Sequence, residues 1–419
     1  MRGMTGRMLD RLLGRRRLAA PLAVLAVAIA SLGTPADGAR PRRVDRWRAG
    51  AIGGEVVVRS VPVENAGALD RFHEALHGLA AGSERRVRVL HFGDSNVAAD
   101  LWTGEVRRAL QERFGDGGPG YLLPRPHGSW HSGSTSADCG RAFNTRRLGF
   151  AKGFGPPDGL WGLAGVAMEG AGPEAWFEIE VPEIRGGVFE LHALGRPCGG
   201  AVDVSIDGMP PLRVDVRRDE IGLVRSRWRL DEGAHGIRGR VVGGRRVRIL
   251  GFAVERDRSG VVYDTLGING HRAAAINLWD EGLLAEQLVS RRPDLVVLSY
   301  GGNEALSPRL SLPKYERDLR RAVSKMRRLT FGASCLLVGP VSMCPERRKV
   351  ARVVEVQRRV AHEMGCGFWD SRAVSGGPGS LCRWIASRRD LVSGDHLHLR
   401  KKGYVLVARE FTRALLAGY

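Results

Sequence analysis

The sequence predicts an α/β fold in which a parallel sheet flanked by helices is interrupted by an all-β insertion. Three observations carry this. Strand-like and helix-like segments alternate between about residues 65 and 115 and again from 261 to 419, a pattern that implies parallel strands joined by right-handed crossovers. Between them, residues 116–260 consist of Gly-, Pro- and Ser-rich stretches followed by short β-like runs. With 419 residues and 43% hydrophobic content, the chain can bury a core large enough for both parts.

The first segment, residues 1–38, reads as a targeting signal. A basic stretch ends in Arg15-Arg16-Arg17, an apolar run extends from Leu18 to Leu32, and small residues follow through Ala36-Asp37-Gly38. The run is short for a membrane span and matches a secretory signal peptide; the alternative is an uncleaved anchor that would tie the protein to a membrane. Export to the periplasm or cell envelope is the expectation, with residues 39–64 as an extension.

A first α/β part, residues 65–115, opens with Leu69, Phe72, Leu76 and Leu79 at helical spacing, ending at Gly82. Val87, Val89 and Leu90 then lead through His91 and Phe92 into Gly93-Asp94-Ser95, and a helical pattern runs from Leu101 to Phe114. Ser95 is thereby placed at the carboxyl end of a strand, where open sheets bind ligands. In the insertion, runs at Trp176–Val181, Val188–Ala193, Ala201–Ile206, Leu212–Val216 and Val247–Val254 are separated by turns such as Asp207-Gly208, which predicts a small sandwich. Trp130, Trp161, Trp176 and Trp228 are either a sugar-stacking, carbohydrate-binding platform or core residues. The second α/β part, 261–419, has strands at Leu295–Tyr300 and Cys335–Val341 and helices at Tyr315–Leu329, Val350–Met364 and Tyr404–Leu416.

The net charge is +20, but residues 1 to 50 hold eleven arginines against three aspartates, and no basic block follows residue 48. The excess is diffuse, which argues against a nucleic-acid partner and suits anionic surfaces such as cell-wall polymers or lipid headgroups. Six cysteines, Cys139, Cys198, Cys335, Cys344, Cys366 and Cys382, fit disulfides in an oxidising compartment. Pairing within the middle region and within the last hundred residues is the economical expectation. No C-x-x-C occurs, against a zinc ribbon or a thioredoxin-type site.

Four motifs carry chemistry: Gly93-Asp94-Ser95, Gly267-Ile268-Asn269-Gly270, Gly301-Gly302-Asn303 and Asp395-His396-Leu397-His398. A serine hydroxyl attacks only when a base takes its proton, and an imidazole with a reference pKa of about 6.5 suits that task. His398 is the candidate base, Asp395 the acid that orients it, and Ser95 the nucleophile. The Ser95 N–H, the Gly270 N–H and the Asn303 side-chain amide are the candidate oxyanion donors. Each motif has an ordinary explanation as well: a capping serine, a surface turn, turn glycines, a capping asparagine. His73-Glu74-Ala75-Leu76-His77 satisfies H-E-x-x-H, a zinc-protease pattern, but its histidines flank the apolar stripe of a short helix. No G-x-S-x-G elbow and no phosphate-binding loop occur.

The ordered set resembles the SGNH (GDSL-type) hydrolase superfamily, its four blocks carried by Ser95, a glycine within Gly267 to Gly270, Asn303, and Asp395 with His398. The resemblance implies a flavodoxin-like parallel sheet and ester hydrolysis by a Ser-His-Asp triad, with no metal or other cofactor. It favours Gly270 over Gly267 as donor, since Gly270 takes the place of the glycine in the family's S-G or N-G pair. It also makes His396 a bystander. The stretches Val89 to Asn96 and Tyr263 to Gly270 are similar to the peptidoglycan O-acetylesterase branch in particular. Two positions depart: Asn96 stands where leucine is usual, and Glu304 where many members have aspartate. The expectation is an exported esterase that removes O-acetyl groups from a polysaccharide such as peptidoglycan. Alternatives are a polysaccharide O-acetyltransferase, a lipid- or thioester-directed esterase, and a carbohydrate-binding protein without catalysis.

Overall fold

The computed structural model describes residues 56–83, 85–123, 136–147 and 158–419. The signal segment, most of the extension that follows it, and Trp130 lie outside the described residues. Five parallel strands, β1 (Arg86–Gly93), β2 (Gly260–Gly267), β3 (Leu295–Ser299), β4 (Ser334–Val338) and β5 (Gly367–Trp369), form one sheet. Their spatial order is β2-β1-β3-β4-β5, the flavodoxin-like order. The helices are α1 (Asp70–Ala80), α2 (Ser95–Ala98), α3 (Thr103–Phe114), α4 (Glu281–Arg291), α5 (Gly302–Leu306), α6 (Leu312–Leu329), α7 (Arg348–Glu363), α8 (Ser371–Val374), α9 (Ser380–Ser387) and α10 (Lys401–Leu415).

Every residue of β2, β3 and β4 is buried, as expected where helices cover both faces. Side chains alternate between two cores. Val87, Val89, Leu295, Val297, Leu336 and Val338 pack with α1, α3 and α10, whereas Leu90, Phe92, Val296, Leu298 and Leu337 pack with α4, α6 and α7. Boundaries differ from the sequence expectation by a few residues, with physical causes. The strand foreseen to Val341 stops at Val338, because Pro340 has no N–H to give a ladder. Pro313 sits in the first turn of α6, where its missing N–H costs nothing, so that helix starts at Leu312.

Between α3 and β2 the chain builds a nine-stranded antiparallel sheet. Its central strands, Trp176–Gly195 and Gly222–Val242, are long and pair with one another along nearly their whole length. The outer strands flank them in the order 144–147, 166–170, 247–256, 176–195, 222–242, 201–206, 212–215; strand 120–122 joins 247–256, and 136–139 joins 176–195. The described strands therefore form one continuous sheet in place of the expected sandwich. The two runs foreseen at 176–181 and 188–193 are a single strand whose register shifts between Val181 and Ile184. Pro182 lies in that shift, so the sequence break marks a bulge and not a turn.

Both sheets fall in one compact unit and share a core: Tyr121, Leu163, Val166 and Leu250 of the inserted part are buried with Leu90, Leu266 and Leu298. Ion pairs reinforce the join. Arg291 of α4, only 2% exposed, meets Asp264 of β2 at 2.8 Å and Glu255 of strand 247–256 at 2.7 Å, and Glu255 also pairs with Arg88 of β1 at 2.7 Å. Burial alone would raise the Glu255 carboxyl, but Arg291, Arg88 and Arg86 hold it down at about 2.

Disulfides join Cys335 to Cys366 and Cys344 to Cys382, so the last four cysteines pair among themselves as expected. The pairing expected in the middle region does not form. Cys139 is buried and Cys198 is exposed, so the two are not joined.

Candidate active site

Three of the four motifs meet because their strands end together. Gly93 at the end of β1 is in register with Gly267 of β2 on one side and with Ser299 of β3 on the other. Strand order switches at this point, which is where doubly wound sheets open a crevice at their carboxyl ends. The short helix α2 rests directly on that edge. A Cβ on Gly93 would lie 2.3 Å from Val97 Cγ2, and one on Gly267 would lie 2.1 Å from the Ala98 nitrogen. Both glycines are thus required for α2, and with it Ser95, to sit against the strands.

Ser95 is the first residue of α2 and Asp94 is its cap, with Oδ1 accepting hydrogen bonds from the Asn96 backbone N–H at 2.9 Å and from Asn96 Nδ2 at 3.1 Å. Burial pushes the Asp94 carboxyl above its ordinary value against the pull of those bonds. Beneath the turn, the buried His91 ring bonds Tyr263 Oη at 2.7 Å and Ser299 Oγ at 2.5 Å, and desolvation lowers its pKa to about 3. It is a neutral bracket between β1, β2 and β3.

The fourth motif arrives from the loop before α10. Ser95 Oγ lies 2.7 Å from His398 Nε2, and His398 Nδ1 lies 2.5 Å from Asp395 Oδ2. Asp395 Oδ1 meanwhile accepts the backbone N–H groups of Leu397 at 2.9 Å and His398 at 3.0 Å. Burial would raise the Asp395 carboxyl, but the bonds from the His398 ring and from these two amides outweigh it and its pKa is lowered. The i, i+3 spacing read from sequence therefore corresponds to a turn that closes on its own acid. The loop is pinned from outside: Cys344, held in a disulfide with Cys382, donates its N–H to the His396 carbonyl at 3.0 Å. His396 itself is exposed with φ 60°, a conformation that gives the turn its shape.

Gly270 lies exposed beyond the end of β2 with φ 80°, a value that favours glycine, while Gly267 is buried inside the strand. Asn303, in the first turn of α5, donates through Nδ2 to the His271 carbonyl at 2.9 Å. A primary amide has two N–H donors, so one remains for a ligand oxygen. Glu304, which sequence reasoning treated only as a departure from a family pattern, is buried. Its Oε1 accepts the Ala273 N–H at 2.8 Å and its Oε2 accepts the Gly301 N–H at 3.1 Å. The only sequence signal for it was its place after Asn303.

The remaining candidates do not join this site. His73 is buried with Nε2 2.9 Å from the Leu415 carbonyl, and the exposed His77 stacks on Tyr419 at 4.3 Å. Among the described residues no group of three His, Cys, Asp or Glu is gathered to hold a metal ion. Trp161 is buried against Trp279, Trp228 is half-buried on Phe189, and Trp176 is half-buried at its strand's start, so these three take ordinary packing positions.

Residues 236–406 match the GDSL-like lipase/acylhydrolase family, a span that holds the last three motifs but not the Ser95 block. No curated protein matches the chain. Among solved structures, a peptidoglycan O-acetylesterase aligns with a TM-score of 0.69 at 21% identity, covering 82% of this chain and 95% of that one. A family-two carbohydrate esterase from Cellvibrio japonicus aligns with a TM-score of 0.29 at 11% identity over 68% of this chain and 98% of that one. An acetyl xylan esterase aligns with a TM-score of 0.31 at 18% identity over 38% and 83% of the respective chains. Residues 236–406 thus carry the GDSL-like lipase/acylhydrolase match, the mark of an ester-hydrolysing enzyme.

Proposed function

We propose that this enzyme is an exported serine esterase that removes O-acetyl groups from a cell-envelope polysaccharide, with peptidoglycan as the substrate. The observation that carries the catalytic reading is the continuous Ser95, His398, Asp395 hydrogen-bonded chain, with contacts of 2.7 and 2.5 Å. In this mechanism His398 Nε2 takes the Ser95 proton as Oγ attacks the ester carbonyl. Asp395 keeps Nδ1 protonated and stabilises the imidazolium. The Ser95 and Gly270 N–H groups and the Asn303 amide receive the oxyanion. His398 then protonates the departing sugar hydroxyl, leaving acetyl on Ser95, and activates water to release acetate.

The His398 and Asp395 side chains are 35% and 45% exposed, so water reaches the site where the acyl-enzyme would be hydrolysed. The acetyl and polysaccharide parts of the reading draw support from the two-sheet fold shared with the peptidoglycan O-acetylesterase structure and from the signal-like N-terminal segment.

The test is p-nitrophenyl acetate turnover by the purified enzyme and by Ser95→Ala, followed by acetate release from O-acetylated peptidoglycan, acetylated xylan and lysophospholipid. Turnover that vanishes in Ser95→Ala and is fastest on peptidoglycan is expected. Retained turnover in Ser95→Ala refutes the nucleophile, and preference for xylan or lysophospholipid refutes the substrate.

A further inference from the structure

The two proposed oxyanion donors outside α2 come from loops that leave different strands, Gly270 after β2 and Asn303 after β3, with β1 between those strands. The ladder bonds of the sheet stop at Gly267 and Ser299, before either donor. A separate device must hold the loop tips at a distance that suits one oxygen atom. Glu304 occupies that position. One carboxylate oxygen takes the Ala273 N–H, three residues beyond Gly270, and the other takes the Gly301 N–H, two residues before Asn303. Asn303 adds a parallel tie to the His271 carbonyl. A Cβ on Gly301 would meet Val353 Cγ1 at 2.9 Å and Gln357 Nε2 at 3.0 Å, so the Gly301 end of the clasp is braced against α7.

We infer that Glu304 is a positioning residue whose ionised carboxylate clasps the two oxyanion loops together and sets the spacing between Gly270 and Asn303. This rests on the catalytic reading above. The clasp needs both oxygens as strong acceptors; protonation turns one into a hydroxyl, a donor and a much weaker acceptor, and removes the charge that strengthens both bonds.

The charged and titratable groups around Glu304 are Asp94 from the β1–α2 turn, Arg272 from the Gly270 loop, Tyr300 at the end of β3 and Tyr315 from α6. Burial, with Asp94 adding to it, raises the carboxyl to about 7 against the opposing hydrogen bonds and Arg272. A group with a raised pKa is ionised only above that value, so the clasp is complete on the alkaline side and weakens as pH falls through neutrality.

The experiment compares kcat, KM and the pH dependence of kcat for the wild type and Glu304→Gln, with thermal melting and stoichiometric labelling of Ser95 by a fluorophosphonate as controls. A misplaced donor typically costs on the order of 10- to 100-fold in kcat. The expected result is such a loss with KM changed less than about threefold, and an acid limb that is steeper in the wild type than in the variant, which lacks the Glu304 ionisation. Wild-type kcat with an unaltered acid limb in a folded Glu304→Gln overturns the inference. If that variant does not fold, Glu304→Asp is read in the same way: it keeps the charge but is one methylene short of spanning both amides, and full kcat overturns the clasp. Ser95→Ala separates the two levels, since activity surviving there refutes the catalytic reading and not the contacts of Glu304.

Discussion

Asp395 remains ionised wherever His398 can act as a base, because its hydrogen bonds hold its pKa below the usual carboxylate range. A depressed carboxylate stabilises the folded state above its unfolded pKa of about 3.9 and loses that contribution as pH falls through the lower folded value. An acid limb of activity near neutrality therefore does not belong to Asp395, whereas the raised Glu304 carboxyl titrates there. Replacing Asp395 with Asn leaves the size unchanged but turns an N–H toward Nδ1, which favours the wrong tautomer. Asp395→Asn is expected to lower kcat on p-nitrophenyl acetate by on the order of 10² to 10⁴, the lower end reflecting solvent access to this aspartate. Activity within about threefold of wild type would remove Asp395 from the proposed triad.

Among the elements, α2 is the one whose placement governs the site, and two glycines make that placement available. A methyl at Gly267 would collide with the Ala98 backbone at 2.1 Å, and backbone cannot yield as a flexible side-chain tip can. Gly267→Ala is expected to move Ser95 by a fraction of an ångström to an ångström and to lower kcat by about 10²-fold. Circular dichroism would stay close to wild type while fluorophosphonate labelling of Ser95 slows; unchanged labelling would show that α2 does not depend on this contact. The loop carrying Asp395 and His398 is steadied by the Cys344 N–H on the His396 carbonyl. Replacing Cys344 and Cys382 together with serine should accordingly reduce kcat more than it raises KM.

At the scale of the molecule, the two sheets behave as one body because charge as well as apolar surface is buried between them. Arg291 neutralises Asp264 and shares Glu255 with Arg88, so its removal strands the Asp264 carboxylate inside. Arg291→Ala is expected to lower unfolding free energy in urea by about 3–5 kcal/mol, and Arg291→Met by a similar amount since it too leaves Asp264 unpaired. Glu255, held at about 2, contributes stability that is present above its unfolded pKa and lost as pH falls through about 2. The urea midpoint should fall between pH 4.5 and 2 in wild type and fall less in Glu255→Gln; parallel curves would refute this.

Local order along the chain was enough for the α/β class, for the run of strands at 87–93 and 295–299, and to single out Ser95, Asp395 and His398, which the fold brings into one hydrogen-bonded chain, because periodicity and motif spacing are properties of neighbours in sequence. The three-residue β5 was too short to leave a period, and strand 222–242 was hidden by charged residues alternating along its exposed face. Tertiary structure alone decided that the insertion is one sheet continuous through a bulge, that Cys139 and Cys198 do not join, and that Glu304 spans two loops. Each of these depends on which segments, dozens to hundreds of residues apart, are brought within bonding distance. That information enters only when the strands of the sheet are set side by side.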